Sequence, residues 1–364
     1  MKRAELIESL TRHGVYDLAV VGGGATGLGV ALDAALRGFS VVLLESHDFA
    51  GGTSSRSTKL LHGGVRYLAQ GNLSLVREAL AERATVLRIA PHLAQPLAFV
   101  MPTYRFGEQA FYGMGLKLYE WLAASASLGK TEFLDAQATQ AAIAGVRTDG
   151  LRGGVQYWDG QFDDARLAVA LARTAAREGA CVINHVAVQS LMYEDGRVVG
   201  VRAKDAEQGA EFDVRAQCVV NATGVWVDAL RQMVLQPWAG DKPVKALVTP
   251  SQGVHLVVDR DFMPGDHTLL VPKTRDGRVL FAVPWLGKLI LGTTDTPRQD
   301  LPREPDAFAE ELAFIRTEAA QVLRRPVRTE DIRSVWVGLR PLVAAPDAQP
   351  GATRVLSREH TIVV

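Results

Sequence analysis

The sequence predicts an α/β protein with two lobes, one doubly wound around a parallel sheet and one mainly antiparallel α+β. Short apolar runs at residues 17–21 and 41–45 flank a helical stretch at 25–37 that ends at Gly38, as in a right-handed βαβ unit. Beyond Pro243, short apolar runs alternate with turn residues, which indicates an antiparallel sheet. The 364 residues suffice for one large two-lobed domain or for two domains.

The two lobes are predicted to interleave along the chain. Residues 1–90, 151–243 and 335–364 are assigned to the doubly wound lobe, and residues 91–150 and 244–334 to the antiparallel lobe. In chain order, the further predicted elements are a helix from an Asn72 cap to Ile89, a strand at 97–101, a helix at 111–128, a helix that begins at Asp163-Asp164, and strands at 181–188, 198–203, 211–221, 254–258, 269–272, 279–284 and 289–292.

Composition excludes several classes of function. The 40 basic and 40 acidic residues give a net charge of zero, which argues against a nucleic-acid partner. Cys181 and Cys218 match no metal-ligand spacing, so we expect no metal and a reducing compartment. The amino terminus has no apolar signal core, and no apolar run reaches the ~20 residues of a membrane span. We therefore expect a cytoplasmic protein, attached at most to the inner surface of the cell membrane.

A glycine motif follows the first predicted strand. In Gly22-x-Gly24-x-x-Gly27 the glycines permit a tight turn, backbone approach to a pyrophosphate and close packing of helix on strand. The helix begins there with Ala25 and Thr26, and its amino end stabilises phosphate charge. Glu45 ends the second strand, where a carboxylate can accept both ribose hydroxyls. The motif is typical of a Rossmann-like dinucleotide site. The carboxylate disfavours NADP but does not separate NAD from FAD.

Two further segments bear on the cofactor. Residues 219–224, VVNATG, form a strand that ends in small residues; this could be a second backbone contact with the cofactor or an ordinary strand-to-turn junction. Residues 54–64, SSRSTKLLHGG, crowd hydroxyls beside the nucleotide site. Hydroxyls and exposed amides suit a pyrophosphate and a ribityl chain, and Gly63-Gly64 leaves room for a flat ring. We predict that this segment lies along an extended polar cofactor, which favours FAD and disfavours an NAD-linked dehydrogenase.

These residues also carry a resemblance to a known family. The runs at 53–68, 163–167, 221–224, 292–295 and 338–342 closely resemble the FAD-dependent glycerol-3-phosphate dehydrogenases, and the resemblance spans residues 17 to about 360. It implies the fold of the D-amino-acid-oxidase-like flavoproteins, with a Rossmann-like FAD-binding lobe and a substrate lobe. It also implies oxidation of sn-glycerol 3-phosphate to dihydroxyacetone phosphate, with hydride passing from C2 to flavin N5 and electrons to a membrane quinone. A homodimer is a further expectation.

Family members continue past the position that matches Val364. They carry a segment and helix that close over the flavin, followed by a helical C-terminal domain. The resemblance therefore leads us to expect that this chain corresponds to the N-terminal part of such an enzyme.

The resemblance also suggests roles for individual residues. The FAD contacts would be Gly22, Gly24, Ala25, Thr26, Gly27, Glu45, Thr53, Ser54, Ser57, Thr58, Leu61, His62, Gly63, Gly64, Val186, Ala222, Thr223 and Gly224. The substrate contacts would be Arg66, Tyr67, Arg340 and Arg358, and the catalytic residues His255, Arg340 and His62. Arginine can bind phosphate through two parallel hydrogen bonds, and a neutral histidine suits removal of the hydroxyl proton.

Each assignment has an alternative. His255 could be a structural histidine, His62 could order the cofactor, and the arginines could be surface salt-bridge partners. Arg340 lies between apolar neighbours, and a bound anion would offset the cost of burying it. The helix at 111–128 could rest on a bilayer or pack into the core, and we favour the core. For the function, a glycerophosphate oxidase that uses O2 and a non-catalytic FAD- or nucleotide-binding fragment stay open.

Overall fold

A computed structural model describes residues 2–68, 71–239 and 245–343, with the backbone alone at residues 66, 67 and 236–239. The strands, in chain order, are β1 Tyr16–Val21, β2 Val41–Leu44, β3 Leu60–Leu61, β4 Ala94–Thr103, β5 Glu132–Asp135, β6 Gly153–Phe162, β7 Cys181–Ile183, β8 Val186–Glu194, β9 Arg197–Asp205, β10 Glu211–Asn221, β11 Val248–Asp259, β12 Thr268–Val271, β13 Leu280–Trp285, β14 Lys288–Gly292, β15 Thr296–Pro297 and β16 Ser334–Val343. The α-helices are α1 Arg3–Arg12, α2 Ala25–Leu36, α3 Val65–Leu68, α4 Leu73–Ile89, α5 Glu108–Ala123, α6 Ala136–Ala142, α7 Asp164–Arg177, α8 Val227–Ala239 and α9 Ala309–Val322.

The first sheet has the order β7-β2-β1-β10-β9-β8. Its first four strands are parallel, and β9 and β8 extend it as an antiparallel hairpin. Helices α2 and α7 cover one face and α1 and α8 the other. Burial on both faces explains why the parallel strands read as continuous apolar runs. The doubly wound α/β prediction is confirmed.

One predicted strand of this sheet is wrong. The run at 181–188 is two strands, because the chain turns at Asn184-His185, where His185 has φ +53°. The side chain of Arg3 donates to the Asn184 carbonyl oxygen at 2.8 Å and holds this turn. An apolar run on both sides of a polar pair gives no local sign of that break.

The second sheet has the order β15-β11-β14-β13-β12-β4-β6-β3, with β16 on β11 and β5 on β6. Its pairs are antiparallel except β12 with β4. Helix α9 covers one face, and α4 and α5 cover the other. Strands β3 and β6, and β16 from residue 335 onward, belong to this sheet, although these residues fall within the segments assigned to the first lobe. The lobe division stays a prediction.

Helix α5 has two apolar faces. Leu116, Tyr119 and Leu122 are buried against the second sheet, so the predicted core packing is present. Phe111 and Trp121, on the opposite side, are 69% and 68% exposed. Among the described residues, no helix combines the length and the apolar character needed to cross a bilayer.

Candidate active site

The glycine motif joins β1 to α2 with no space for side chains. Gly22 has φ +110°, and a Cβ there would lie 2.5 Å from the carbonyl oxygen of Ala222. A Cβ at Gly27 would overlap the Gly22 carbonyl oxygen. Helix α2 begins at Ala25, with Gly24 at its cap position. The backbone therefore presents the amide-rich turn and helix amino end that a pyrophosphate requires.

Glu45 lies beside this turn. Its carboxylate accepts hydrogen bonds from the backbone N–H of Gly23 and of His47, both at 2.7 Å. Val186, a predicted cofactor contact, donates its backbone N–H to the Glu45 carbonyl oxygen at 2.8 Å. The Ser46 hydroxyl also donates to this carboxylate, at 3.1 Å. A carboxylate has about four acceptor positions, so one stays available for a ribose hydroxyl. The geometry suits the adenosine end of a dinucleotide.

The turn after β10 closes against the glycine motif. Ala222 donates its N–H to the Val21 carbonyl oxygen at 2.9 Å, and the Thr223 hydroxyl donates to Asn221 Oδ1 at 2.7 Å. Gly224 has φ +61°. Small residues are therefore required where this backbone meets Gly22, and the second cofactor contact stays a prediction.

The segment 54–64 begins at the amino end of α2. The Ser54 hydroxyl accepts the Ala25 N–H at 2.9 Å, and its hydrogen stays available for an anion. One residue earlier, the Thr53 hydroxyl donates to the Leu339 carbonyl oxygen of β16 at 2.5 Å. The segment thus connects the nucleotide turn to the second sheet.

The middle of the segment is held by a buried acid. Asp164 accepts from the Ser57 hydroxyl and from Lys59 Nζ, both at 2.7 Å, and its side chain is 2% exposed. Lys59 itself has φ +62°, a backbone conformation that few side-chain-bearing residues adopt. Sequence reasoning gave Asp164 only a helix-dipole role. Its contact with a cation 105 positions away along the chain had no local signal.

Some hydroxyls of this segment have hydrogen-bond partners other than the predicted ones. Those of Thr53, Ser57 and Thr58 hydrogen-bond to protein groups, whereas we expected all of them to face the cofactor. Each hydroxyl has one hydrogen and two lone pairs, so one protein contact does not exhaust it. Thr53 and Ser57 donate their one hydrogen to the protein, so only acceptor positions remain on these oxygens, and their contact with the cofactor stays a prediction.

The paired glycines rest on a buried network. Gly63 donates its N–H to Tyr119 Oη at 2.7 Å, and Tyr119 donates to Asp159 at 2.8 Å. Arg83 pairs with Asp159 at 2.8 Å. Burial is the main cause that raises the pKa of both Tyr119 and Asp159. A Cβ at Gly63 would lie 2.7 Å from a methyl carbon of the buried Leu80 side chain, so the side chains packed beneath this surface leave no room for one at Gly63.

His62 lies at the exposed edge of the same surface. Its Nδ1 accepts the Gly64 N–H at 3.2 Å, and its ring stacks with Phe281 at a centroid distance of 6.4 Å. These contacts are those of a residue that orders the cofactor segment. A role in proton transfer stays a prediction.

His255, on β11, is buried beside the segment. Its Nε2 lies 2.8 Å from the Thr58 hydroxyl, and its ring stacks on Trp336 at 5.2 Å between centroids. Within the described part of the chain, its buried Nδ1 has no hydrogen-bond partner. Burial, with the nearby cations of Arg340 and Lys59, lowers the pKa of His255 to about 3. The imidazole is therefore neutral at physiological pH.

Arg340 stands on β16, which pairs with β11. Its guanidinium donates to the Thr294 carbonyl oxygen at 3.0 Å and to the Thr293 hydroxyl at 2.9 Å. The prediction that Arg340 is partly buried is confirmed. Gly253 makes room for it, since a Cβ there would lie 2.6 Å from the guanidinium carbon. The role of Gly253 was missed, although a glycine inside an apolar strand often marks a close approach.

Three predicted substrate contacts lack a described side chain. Arg358 lies outside the described residues. Arg66 and Tyr67 belong to α3, of which the structure describes only the backbone at these positions. Their roles stay predictions.

Comparison with known proteins decides which dinucleotide the turn serves. The family described as "FAD dependent oxidoreductase" matches residues 17–364. The chain belongs to this family. FAD is accordingly its cofactor, and the glycine turn, Glu45 and the flat surface at Gly63-Gly64 fit it. The NAD-linked alternative is thereby set aside.

The similar proteins of this FAD-dependent oxidoreductase include glycerol-3-phosphate dehydrogenases. The human mitochondrial protein is 42% identical over 376 residues, covering 99% of this chain and 50% of the relative. The Saccharomyces cerevisiae protein is 39% identical over 393 residues, covering 99% and 61%. The Bacillus halodurans glycerol-3-phosphate dehydrogenase solved with FAD is 34% identical with TM-score 0.75, covering 94% of this chain and 60% of that one. The resemblance stated from the sequence is confirmed. The chain spans about half the length of its mammalian relatives.

Proposed function

We propose that this protein oxidises sn-glycerol 3-phosphate to dihydroxyacetone phosphate. The observation that carries the proposal is the pair His255 and Arg340 on adjacent strands, next to Thr58 of the cofactor segment. A neutral imidazole and a guanidinium within one site match an alcohol that carries a phosphate. Similarity to glycerol-3-phosphate dehydrogenases over 99% of the chain supports the same substrate.

Arg340 is proposed to bind the phosphate. A guanidinium can give a phosphate two parallel hydrogen bonds, and its charge is fixed at any relevant pH. The contacts with Thr293 and Thr294 orient the side chain before substrate arrives. Arg66, Tyr67 and Arg358 are proposed as further substrate contacts, on the family resemblance alone.

His255 is proposed to accept the proton of the C2 hydroxyl. FAD, when bound, supplies the two-electron acceptor for the hydrogen at C2. A histidine with a pKa of about 3 is a weak base, chiefly because burial disfavours its charged form, and the cations of Arg340 and Lys59 lower the pKa further. A phosphate dianion near Arg340 offsets their field, so substrate binding raises the pKa of His255 toward the range useful for proton transfer.

A membrane quinone is proposed as the electron acceptor. Helix α5 supports a peripheral contact with the inner face of the cell membrane, because Phe111, Met114, Leu118 and Trp121 form one exposed apolar stripe. Such a stripe can enter the interface of a bilayer. The expected homodimer stays a prediction that analytical ultracentrifugation would check.

The visible spectrum of the purified holoenzyme tests the proposed reaction. Anaerobic addition of glycerol 3-phosphate should bleach the flavin band in wild type, and Arg340→Ala should need at least about tenfold more substrate, since a charge-assisted hydrogen bond is lost. A yellow protein that never bleaches would support the non-catalytic fragment. Stoichiometric peroxide in air would identify the oxidase. Bleaching with equal substrate dependence in both proteins would contradict the role of Arg340.

A further inference from the structure

We infer that Glu311 is a positioning residue that holds the Arg340 guanidinium in place for the substrate phosphate. The inference rests on the proposed function. It starts from a buried carboxylate that the proposed reaction does not use. Glu311 lies in the first turn of α9, is 4% exposed and packs behind β11 and β14. It does not contact Arg340 in any described interaction, so its action must pass through other groups.

Four hydrogen bonds fix the Glu311 carboxylate. Oε1 accepts the hydroxyls of Thr294 at 2.9 Å and Thr296 at 2.6 Å. Oε2 accepts Nε2 of Gln252 at 2.7 Å and the backbone N–H of Phe308 at 3.0 Å. Each carboxylate oxygen thus accepts two hydrogen bonds, so replacing either oxygen by an NH2 group loses both of its bonds.

Thr294 transmits the contact to the site. Its hydroxyl donates to Glu311 and accepts the Val254 N–H at 3.0 Å, one residue before His255. The carbonyl oxygen of the same Thr294 accepts one guanidinium N–H of Arg340, and the preceding Thr293 hydroxyl accepts another. Glu311 therefore holds the loop of Thr293 and Thr294 in place, and this loop in turn orients the guanidinium of Arg340.

Helix capping explains only part of this arrangement. The bond from the Phe308 N–H to Glu311 is one half of a capping box at the start of α9, and Phe308 has no side-chain acceptor for the other half. The other three donors, Gln252 of β11, Thr294 of the loop after β14 and Thr296 of β15, do not belong to the helix. A capping carboxylate needs none of them, whereas a residue that positions the loop needs all three.

The substitution Glu311→Gln tests whether Glu311 acts on Arg340 through Thr294, because glutamine has nearly the same shape as glutamate. One carboxylate oxygen becomes an NH2 group that faces donors, so the Thr294 loop must shift. We expect the KM for glycerol 3-phosphate to rise about tenfold, the effect of misaligning a charge-assisted hydrogen bond, with kcat changing less. Glu310→Gln is the matched control, because it removes an exposed acid from the same helix turn. It should leave KM unchanged.

A double-mutant comparison with Arg340→Ala distinguishes an effect of Glu311 on the position of Arg340 from a general effect on the structure. If Glu311 acts through Arg340, Glu311→Gln should raise KM in wild type and have no further effect in the Arg340→Ala background. The affinity of the holoenzyme for inorganic phosphate, measured by calorimetry, should follow the same pattern without turnover. Equal effects of Glu311→Gln in both backgrounds would overturn the inference.

Two variants of Thr294 test the same inference if Glu311→Gln folds poorly. Thr294→Val removes the hydroxyl and should reproduce the rise in KM, while Thr294→Ser keeps it and should stay near wild type. Equal KM values for both Thr294 variants would overturn the inference. Failure of the proposed function is distinguishable, because glycerol 3-phosphate would then not bleach the flavin of the wild-type holoenzyme and no KM could be measured.

Discussion

The protonation of His255 is set by where the side chain lies. It is 2% exposed and faces the cations of Arg340 and Lys59, so burial and positive charge act in the same direction. The sequence pointed to this histidine only through the family resemblance. Its contact with Thr58 joins positions 197 apart, and no local pattern encodes such a contact.

The pH dependence of the free energy of unfolding should reveal the lowered pKa of His255. The folded pKa of about 3 lies below the ordinary 6.5, so between these values the unfolded chain binds the proton and the folded chain does not. The free energy of unfolding should therefore fall as pH drops through that window, with His255 contributing on the order of 1 kcal/mol per pH unit. His255→Gln keeps a polar group near Thr58 and lacks this titration. Urea unfolding across pH should show a shallower acid limb for the variant.

Other titrating groups contribute equally to both proteins, so the difference between the two curves isolates His255. Parallel acid limbs would show that His255 has the same pKa in the folded and the unfolded chain. The lowered pKa of the folded protein would then be wrong.

At the level of elements, the sequence predicted those helices, turns and caps whose contacts are made between residues close in the chain. The β1–turn–α2 unit followed from the spacing of glycines, and the Asn72 cap of α4 is present, with Oδ1 accepting the Leu75 N–H at 3.2 Å. Helix α9 was not predicted, since its cap position holds Phe308, which is not a usual capping residue. The sequence also could not predict which of the two sheets β6 and β16 would join, because an apolar run does not specify the strand with which it pairs.

Two glycines of α2 offer a matched comparison. A Cβ at Gly27 would overlap the Gly22 carbonyl oxygen, whereas a Cβ at Gly29 has no atom within 4 Å. Gly27→Ala should push α2 away from β1 and weaken FAD binding at least about a hundredfold, a cost of overpacking near 3 kcal/mol. Gly29→Ala should keep FAD affinity and stabilise the helix by about 0.5–1 kcal/mol. FAD titration and thermal melting measure both, and equal FAD affinities would contradict the close-packed turn.

Helix α5 gives a prediction for the membrane. Phe111→Ser combined with Trp121→Ser should reduce sedimentation with anionic vesicles by at least about tenfold, because each inserted side chain contributes roughly 1.5–3 kcal/mol. Leu36→Ser, at a side chain 63% exposed on α2, is the control and should change nothing. Equal vesicle binding by all three proteins would remove the proposed membrane surface.

At the level of the whole molecule, residues 54–64 join the two sheets. One end meets the amino end of α2 through Ser54, the middle meets β11 through Thr58, and the far end meets α5 through Gly63. The sequence predicted that this segment lies beside the nucleotide turn, and that placement is confirmed. Its long-range anchors, Asp164 and Tyr119, were not predicted, because they come from helices distant in the chain.

The central claim is that one segment brings the flavin and the phosphorylated alcohol together. An anaerobic crystal structure with FAD and glycerol 3-phosphate tests it most directly. We predict the pyrophosphate at the amino end of α2, the flavin ring against residues 58–64, the phosphate on Arg340 and the C2 hydroxyl within hydrogen-bond reach of His255. A ring bound away from residues 58–64, or a phosphate remote from Arg340, would contradict the account.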